Sequence, residues 1–346
     1  MTAHARLLPG NRLHLTHGPI GLVIGADGEP EQIERAYRAA WAAFPAILPA
    51  LVAELPFLRM RVASDATAPD LPSTLTLSLA RGGNEVEVGH EWRQSGAIKP
   101  LARVFLSEFP PSPLVGEDRG GGTSHRHGRP AGPDLIPPRM YSAVWPYRDR
   151  FITPMAAVAG SVADHMLGVM LAAAPLHRAY VNNGGDIALH LTPGSTFTAG
   201  VVGDLAAPAI DARVVIHTAA GIGGIATSGW RGRSQSLGLA DSVTVLAGTA
   251  ADADAAATMI ANAVNVDDPG VERRSAREVK CDSDLGDMLV TVGVAELSPA
   301  ARRRALANGR ARALEILEHK LIMAAYIQVQ GETVVVGAGA LGKKAA

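Results

Sequence analysis

The chain holds a single cysteine, Cys281, among 346 residues. That excludes an internal disulfide, a thiolate cage for zinc or iron–sulfur, and a two-cysteine redox motif. Aromatic residues make up only 4% of the sequence, too few for the stacking platform that single-stranded nucleic acid requires. An excess of either charge is also missing. The 32 basic and 33 acidic side chains leave a net charge of -1, so the basic field of a nucleic-acid binder is ruled out. The opening run MTAHARLLPGNRLHL has no apolar core followed by small residues, so no secretory peptide is expected and the cytoplasm is the simplest location. The most membrane-like stretch, 155–174, carries Asp164 and His165 at its centre. An Asp there would oppose insertion by roughly 2.5–3.5 kcal/mol, and the flanks lack an aromatic belt. It reads as a buried helix, and no membrane partner is expected.

Hydrophobic residues, at 47%, are numerous enough for a sizeable core without disulfide or metal staples. Residues 12–24 read as two strands around a His-Gly-Pro turn. Helical spacing of apolar residues runs over 31–55, broken or kinked at Pro45 and Pro49. Residues 74–80 and 85–92 alternate around GGN, a hairpin signal. The stretch 109–138 is rich in Pro and Gly and nearly devoid of large apolar residues. It reads as a disordered insertion, and His125 and His127 within it as solvated loop rather than metal ligands. Helix returns at 154–173, with strands near 180–181, 187–191, 212–217 and 242–248. Asp252 is expected to cap a helix reaching about Val264. Ser298-Pro299 opens a long Arg-rich helix, and Gly331 turns a final hairpin. Strands and helices interleave without a regular βαβ repeat, which predicts α+β. The expected organisation is one compact domain of mixed sheets with flanking helices, its 1–108 and 139–346 parts separated by the insertion at 109–138.

Three polar clusters interrupt this small-residue sequence. The first is NNGGD at 182–186. Asn183, Gly184 and Gly185 would let a ligand approach backbone amides, and Asp186 supplies an acceptor. A plain turn, with Asp186 bonded to its own backbone, accounts for it equally simply. The second comprises Thr227, Ser228, Gly229, Arg231, Arg233, Ser234 and Ser236, with hydroxyls and guanidiniums suited to a pyrophosphate. It lacks the GKS or GKT of a Walker loop. The third places Asp254, Thr258 and Asn262 at i, i+4 and i+8 on one helix face, an oxygen stripe that suits magnesium. Against that stands dipole compensation by acids early in the helix and a Thr258 bond to its i−4 carbonyl.

NNGGDI at 182–187, ATSG at 226–229, SVTVLA at 242–247 and ADAAAT at 253–258 occur in an order that resembles the ApbE-like superfamily. Its characterised members are FAD:protein FMN transferases. FITPMAAVAGSVAD at 151–164, SGWRGRSQSLGLADSVTVLA at 228–247 and DSDLG at 282–286 resemble an uncharacterised bacterial and archaeal branch of it. The resemblance implies an ApbE-like fold, magnesium on Asp254 and Thr258, and FAD or another dinucleotide at the NNGGD and ATSG segments. Met155 to Gly160 and Asp164 correspond to the transferases' GGIAKG segment and its following Asp, with Ala159 replacing the lysine. Where the transferases carry a His, this chain reads GRSQSLG. Candidate replacement bases are Asp186, Asp241 and His165. Trp230 is the aromatic expected near a flavin or adenine ring. Three functions follow from the resemblance: a magnesium-dependent flavin or nucleotide transferase using another base, a non-catalytic metabolite binder, and an accessory protein in sulfur assimilation. A small-molecule ligand is expected in each, and a homo-oligomer is neither required nor excluded.

Overall fold

A computed structural model describes residues 2–63, 87–89, 136–201 and 212–337. The first part of the chain forms β1 (His4–Leu8), β2 (Arg12–His17), β3 (Ile20–Asp27), α1 (Pro30–Ala43), α2 (Ile47–Leu58) and β4 (Glu87–Gly89). Then come α3 (Ile136–Val144), α4 (Val158–Ala173), β5 (Arg178–Asn183), β6 (Asp186–Leu191), β7 (Thr196–Val201), β8 (Ala212–His217) and β9 (Gly224–Ser228). The last part contributes β10 (Ser242–Ala247), α5 (Ala250–Ala263), β11 (Val271–Ser275), α6 (Ala276–Val279), β12 (Leu289–Val294), α7 (Pro299–Glu318), β13 (Ala324–Val329) and β14 (Glu332–Val336).

Nine of these strands make one open sheet in the order β1-β2-β3-β5-β6-β9-β10-β13-β14. Every neighbouring pair in it is antiparallel. A three-stranded sheet, β4-β8-β7, and a β11-β12 arm complete the strands. The chain is therefore mixed α+β with open sheets, as its pattern predicts. The period-2 alternation in β2 turns Leu13 and Leu15 towards α1 and α4. All six residues of β10 are buried, because helices cover one face of the sheet and the three-stranded sheet the other. On the helix face, α5 and α7 pack over Val243, Val245 and Ile327. On the opposite face, Phe197, Val214 and Ile216 pack against Tyr180, Ile187, Ile225 and Leu246.

The N-terminus of α5 is wedged between α4 and β9, and two glycines permit it. A Cβ on Gly160 would lie 2.2 Å from the Ala250 carbonyl oxygen, and one on Gly224 2.1 Å from the Thr249 carbonyl carbon. Gly160→Ala is therefore expected to destabilise the fold by ~3 kcal/mol, since rigid backbone rather than a flexible side chain stands in the way. At this chain length that corresponds to a melting temperature lower by roughly 5–10 °C. A thermal melt within a degree of the parent would show that α4 and α5 can separate at no cost.

Several local expectations shift. One helical signal over 31–55 becomes two helices because Pro45 tightens 44–46 into a 3-10 turn, while Pro49 sits harmlessly in the first turn of α2. The cap of α5 is Thr249, not Asp252. The Thr249 hydroxyl accepts the Asp252 N–H at 3.1 Å and donates to the Asp252 carboxylate at 2.7 Å, a reciprocal capping arrangement. The insertion drawn to 138 ends too late, because Ile136 begins α3 with its side chain fully buried. Of the hairpin expected over 74–92, only β4 is described, and it pairs with β8. The rest of that hairpin, Trp92, His125 and His127 lie outside the described residues. Two helical stretches, Pro30–Leu58 and Pro154–Ala173, are long and apolar enough to cross a membrane by length and composition. The second contains the predicted core helix, α4; the first is less conspicuous in the sequence because its prolines hide its continuity.

Candidate functional site

The β5–β6 turn builds one wall of a cluster of buried carboxyls. Gly184 (φ 71°) and Gly185 (φ 122°) take left-handed backbone that other residues resist. The Asn182 Oδ1 accepts the Gly185 N–H at 2.8 Å, which closes the turn. Asn183 donates to the Ala159 carbonyl at 3.1 Å and so ties the turn to the start of α4. Asp186, the first residue of β6, accepts the Thr227 N–H of β9 at 3.3 Å. From the opposite wall, Asp254 in the second turn of α5 accepts the Gly160 N–H at 3.0 Å.

These two carboxyls face each other in a poorly hydrated space. Burial pushes Asp186 up to about 7, partly offset by the Thr227 N–H and the Arg233 charge. Burial first, and then the Asp186 charge, holds Asp254 well above the usual carboxylate range, against N–H groups of Gly160 and Ala159. Two neighbouring carboxylates without full hydration bind a proton or a cation strongly. Thr258 lies one turn further along the same face of α5. Among the described residues no hydrogen bond reaches its hydroxyl, so the expected i−4 bond is not made. Asn262, the third member of the stripe, is engaged elsewhere. Its Oδ1 accepts from the Ser236 hydroxyl at 3.2 Å and the Leu237 N–H at 2.9 Å, which pins the 235–238 loop to α5.

Arg233 roofs the turn. A Cβ on Gly184 would fall 2.4 Å from its Nη2, and its Nη1 donates to the Pro19 carbonyl at 3.3 Å. Arg231 points elsewhere, pairing with Asp241 at 3.4 Å and lying 4.6 Å over the Trp230 ring. Asp241 is fully employed by Trp230 Nε1, Arg231 and the Gln330 N–H. It holds the β9–β10 loop against the β13–β14 turn. Trp230 thus has one face covered by a guanidinium. Ser228 ends β9 half-buried, Ser234 is exposed, and His165 is buried in α4. A Cβ on Gly229 would lie 2.4 Å from the Asp241 carbonyl oxygen, so this glycine permits a close turn. Of the residues singled out in the sequence, Asn183, Gly184, Asp186, Thr227, Arg233 and Asp254 come together through direct contacts or charge.

Beneath Asp254 lies a support that the sequence pattern does not reveal. Asp164 accepts the Ala250 and Ala251 N–H groups at 3.1 and 2.9 Å and so anchors the positive end of α5. Arg139 of α3 stands 3.9 Å from it. Burial raises Asp164 to about 6, countered by Arg139 and those two amides. Nothing in the spacing of residues 139, 164 and 250 announces this contact, which depends on three helices meeting. A concavity of about 610 Å³ opens between α7 and the residues before β11, lined by Asn265, Arg273 and Arg304 among others. The perturbed carboxyls gather instead at Asp186 and Asp254, and that cluster is the stronger candidate.

A UPF0280 protein of Methanothermobacter thermautotrophicus is 40% identical over 153 residues, 41% of this chain and 55% of that protein. A UPF0280 protein of Methanopyrus kandleri is 35% identical over 138 residues, 40% of this chain and 54% of its own length. The chain spans about half the length of these curated relatives. A family model described as AbpE bacteria matches residues 4–82 and 124–335, leaving 83–123 outside it. With most of the chain inside the matched ranges, the chain belongs to the AbpE bacteria family.

Proposed function

We propose that this chain is an ApbE-like protein that binds a flavin dinucleotide, FAD, through magnesium at the Asp186–Asp254 pair. The observation that carries the reading is the Asp186–Asp254 pair. Two carboxyls with raised proton affinity, beside a threonine hydroxyl, form the all-oxygen donor set a hard divalent cation takes, the rest of its shell coming from phosphate and water. Asp254 and Thr258 would hold magnesium, with Asp186 facing it. Arg233, above Gly184, would clamp the pyrophosphate, since a planar guanidinium pairs with two phosphate oxygens. Bound magnesium would neutralise pyrophosphate charge.

The reading is tested by Arg233→Ala. Affinity for FAD is expected to fall by ~10-fold or more while affinity for riboflavin changes little, because only FAD carries the pyrophosphate. Titration calorimetry of both ligands, with and without magnesium, decides it. Equal losses would remove Arg233 from the phosphate site, and absence of any flavin binding would remove the reading itself. A transferase reading keeps one supporting observation. Asp186, raised to about 7, has the proton affinity a general base needs near neutral pH.

A further inference from the structure

Several arginines in the last third of the chain are neutralised where they lie. Arg302 pairs with Glu332 at 2.8 Å, Arg312 with Glu315 at 2.6 Å and Arg274 with Glu272 at 2.8 Å. The two that line the concavity beside α7, Arg273 and Arg304, pair with no carboxylate among the described residues. Arg273 is half-buried. Its Nη2 donates to the Asn265 Oδ1 and, at 3.4 Å, to the Val266 carbonyl. Both acceptors are neutral, so they fix the guanidinium without cancelling its charge. The walls around it are tied together. On α7, Arg304, Ala307 and Asn308 share one face at i, i+3 and i+4, and the short Ala307 leaves room between the longer two. Opposite stands the turn that leaves α5. Asn265 donates from Nδ2 to the Leu237 carbonyl at 3.0 Å, and its Oδ1 accepts the Val266 N–H at 2.9 Å. Its own carbonyl accepts the Asn308 Nδ2 at 2.9 Å. Gly309 lets α7 come this close, since a Cβ there would lie 2.3 Å from the Val264 Cγ2.

We infer that this concavity is a binding site for the phosphate group of a small molecule, separate from the Asp186–Asp254 pair. Its volume of about 610 Å³ lies within the ~300–1,000 Å³ of small-molecule sites. Its lining is rich in donors. Arg304 has all its N–H groups to offer, Arg273 those not spent on Asn265 and Val266, and Asn308 the second N–H of its amide. A guanidinium that no carboxylate has satisfied keeps its full affinity for an oxyanion, and two of them match the double charge of a phosphate better than the single charge of a carboxylate. The same two charges repel a metal cation. Asp267 also lines the concavity, is exposed and pairs with neither arginine. Its charge opposes a bound anion, which gives its removal a sign opposite to that of removing Arg304.

The test is a titration of inorganic phosphate into the full chain, followed by phosphorus NMR line width. Magnesium is left out so that the Asp186–Asp254 pair takes no part. Binding should saturate, and Arg304→Ala should weaken it by ~10-fold or more, the worth of a hydrogen-bonded charge. Arg304 is exposed, so its loss should leave the circular dichroism spectrum unchanged. Arg303→Ala removes the same charge from the next residue, which is exposed and outside the lining. It should change affinity by less than ~2-fold, as should Arg233→Ala at the other site. Asp267→Asn should tighten binding by ~2–5-fold as the repulsion is relieved. Acetate, followed by its ability to displace phosphate, should bind at least ~10-fold more weakly. Absence of saturable binding would overturn the proposal. Equal losses in Arg303→Ala and Arg304→Ala would do the same, because the phosphate would then be answering the general charge of α7. A loss in Arg233→Ala alone would move the anion to the other site. Weaker binding in Asp267→Asn, or acetate as strong as phosphate, would overturn the assignment to a phosphate group.

Discussion

Asp254→Asn is expected to abolish the magnesium dependence of ligand binding and, without metal, to stabilise the fold above pH 7. The two effects share one cause. Asp254 is held well above the usual carboxylate range by burial and by the Asp186 charge, and Asp186 is raised to about 7 by burial. A carboxyl whose pKa is higher folded than unfolded favours the fold while protonated. That contribution is complete below the ordinary value of 3.8 and is lost as pH rises through the folded value. The metal-free parent should therefore lose ~2–4 kcal/mol between about pH 4 and 7. The asparagine removes one of the two charges, so its stability should vary less over that window and exceed the parent's at about pH 7.5. Magnesium should restore the parent and leave the variant unmoved. Affinity for FAD in the presence of magnesium should fall by at least ~10–100-fold, the scale on which disturbing a metal's surroundings is felt. If Asp254 served only to oppose the dipole of α5, the same change would cost ~0.3–1 kcal/mol and magnesium dependence would be equal in both proteins. The sign of the stability change just above neutral pH, read from denaturant titrations, therefore separates the two roles.

What the sequence makes legible is local. The β10 strand, the Ser298 cap of α7 and the hairpin turned at Gln330 and Gly331 each depend on a few adjacent residues, and each is found where the pattern puts it. The helix kink at Pro45 is of the same kind. What escapes is pairing at a distance. β5 lies beside β3, Leu22 opposite Asn183 and Asp27 opposite Arg178, although α1, α2 and α4 intervene in the chain. Strand periodicity fixes which face a residue takes and leaves open which strand is its neighbour. The site shows the same division. Residue types mark Asp186, Asp254 and both arginines, yet Arg231 turns to Asp241 while Arg233 turns to Gly184. Two guanidiniums two residues apart on an irregular loop have no periodicity to distinguish them. Asn262 shares a helix face with Asp254 by spacing, and still spends its oxygen on the 235–238 loop. Gly160 gives no sign of its role, because the atoms that exclude its Cβ belong to Ala250 and Ala251.

Incubated with FAD, magnesium and an acceptor protein, the chain is expected to leave no covalently attached FMN above background. Transfer needs a base to ready the acceptor hydroxyl, and such help is typically worth ~10²–10⁴-fold. Under the proposed ApbE-like reading, Gly232, Arg233 and Ser234 stand where the flavin transferases carry a His. Arg stays protonated, and Ser234 is exposed, with no neighbouring base bonded to it among the described residues. The three candidate replacements are unequal. Asp241 already accepts from Trp230, Arg231 and the Gln330 amide, so its carboxylate serves the loop. His165 is buried within α4, where an acceptor hydroxyl would have to displace core side chains to reach it. Asp186 alone of the three has a proton affinity raised to about 7, but its charge acts on Asp254, and a bound cation would lower its basicity. A group that helps to neutralise the metal is a poor base for the acceptor. The mass of the acceptor and its in-gel flavin fluorescence decide the matter. Robust labelling would overturn the binding-only reading. Labelling lost in Asp186→Asn, while FAD affinity persists, would then identify Asp186 as the base that replaces the missing His.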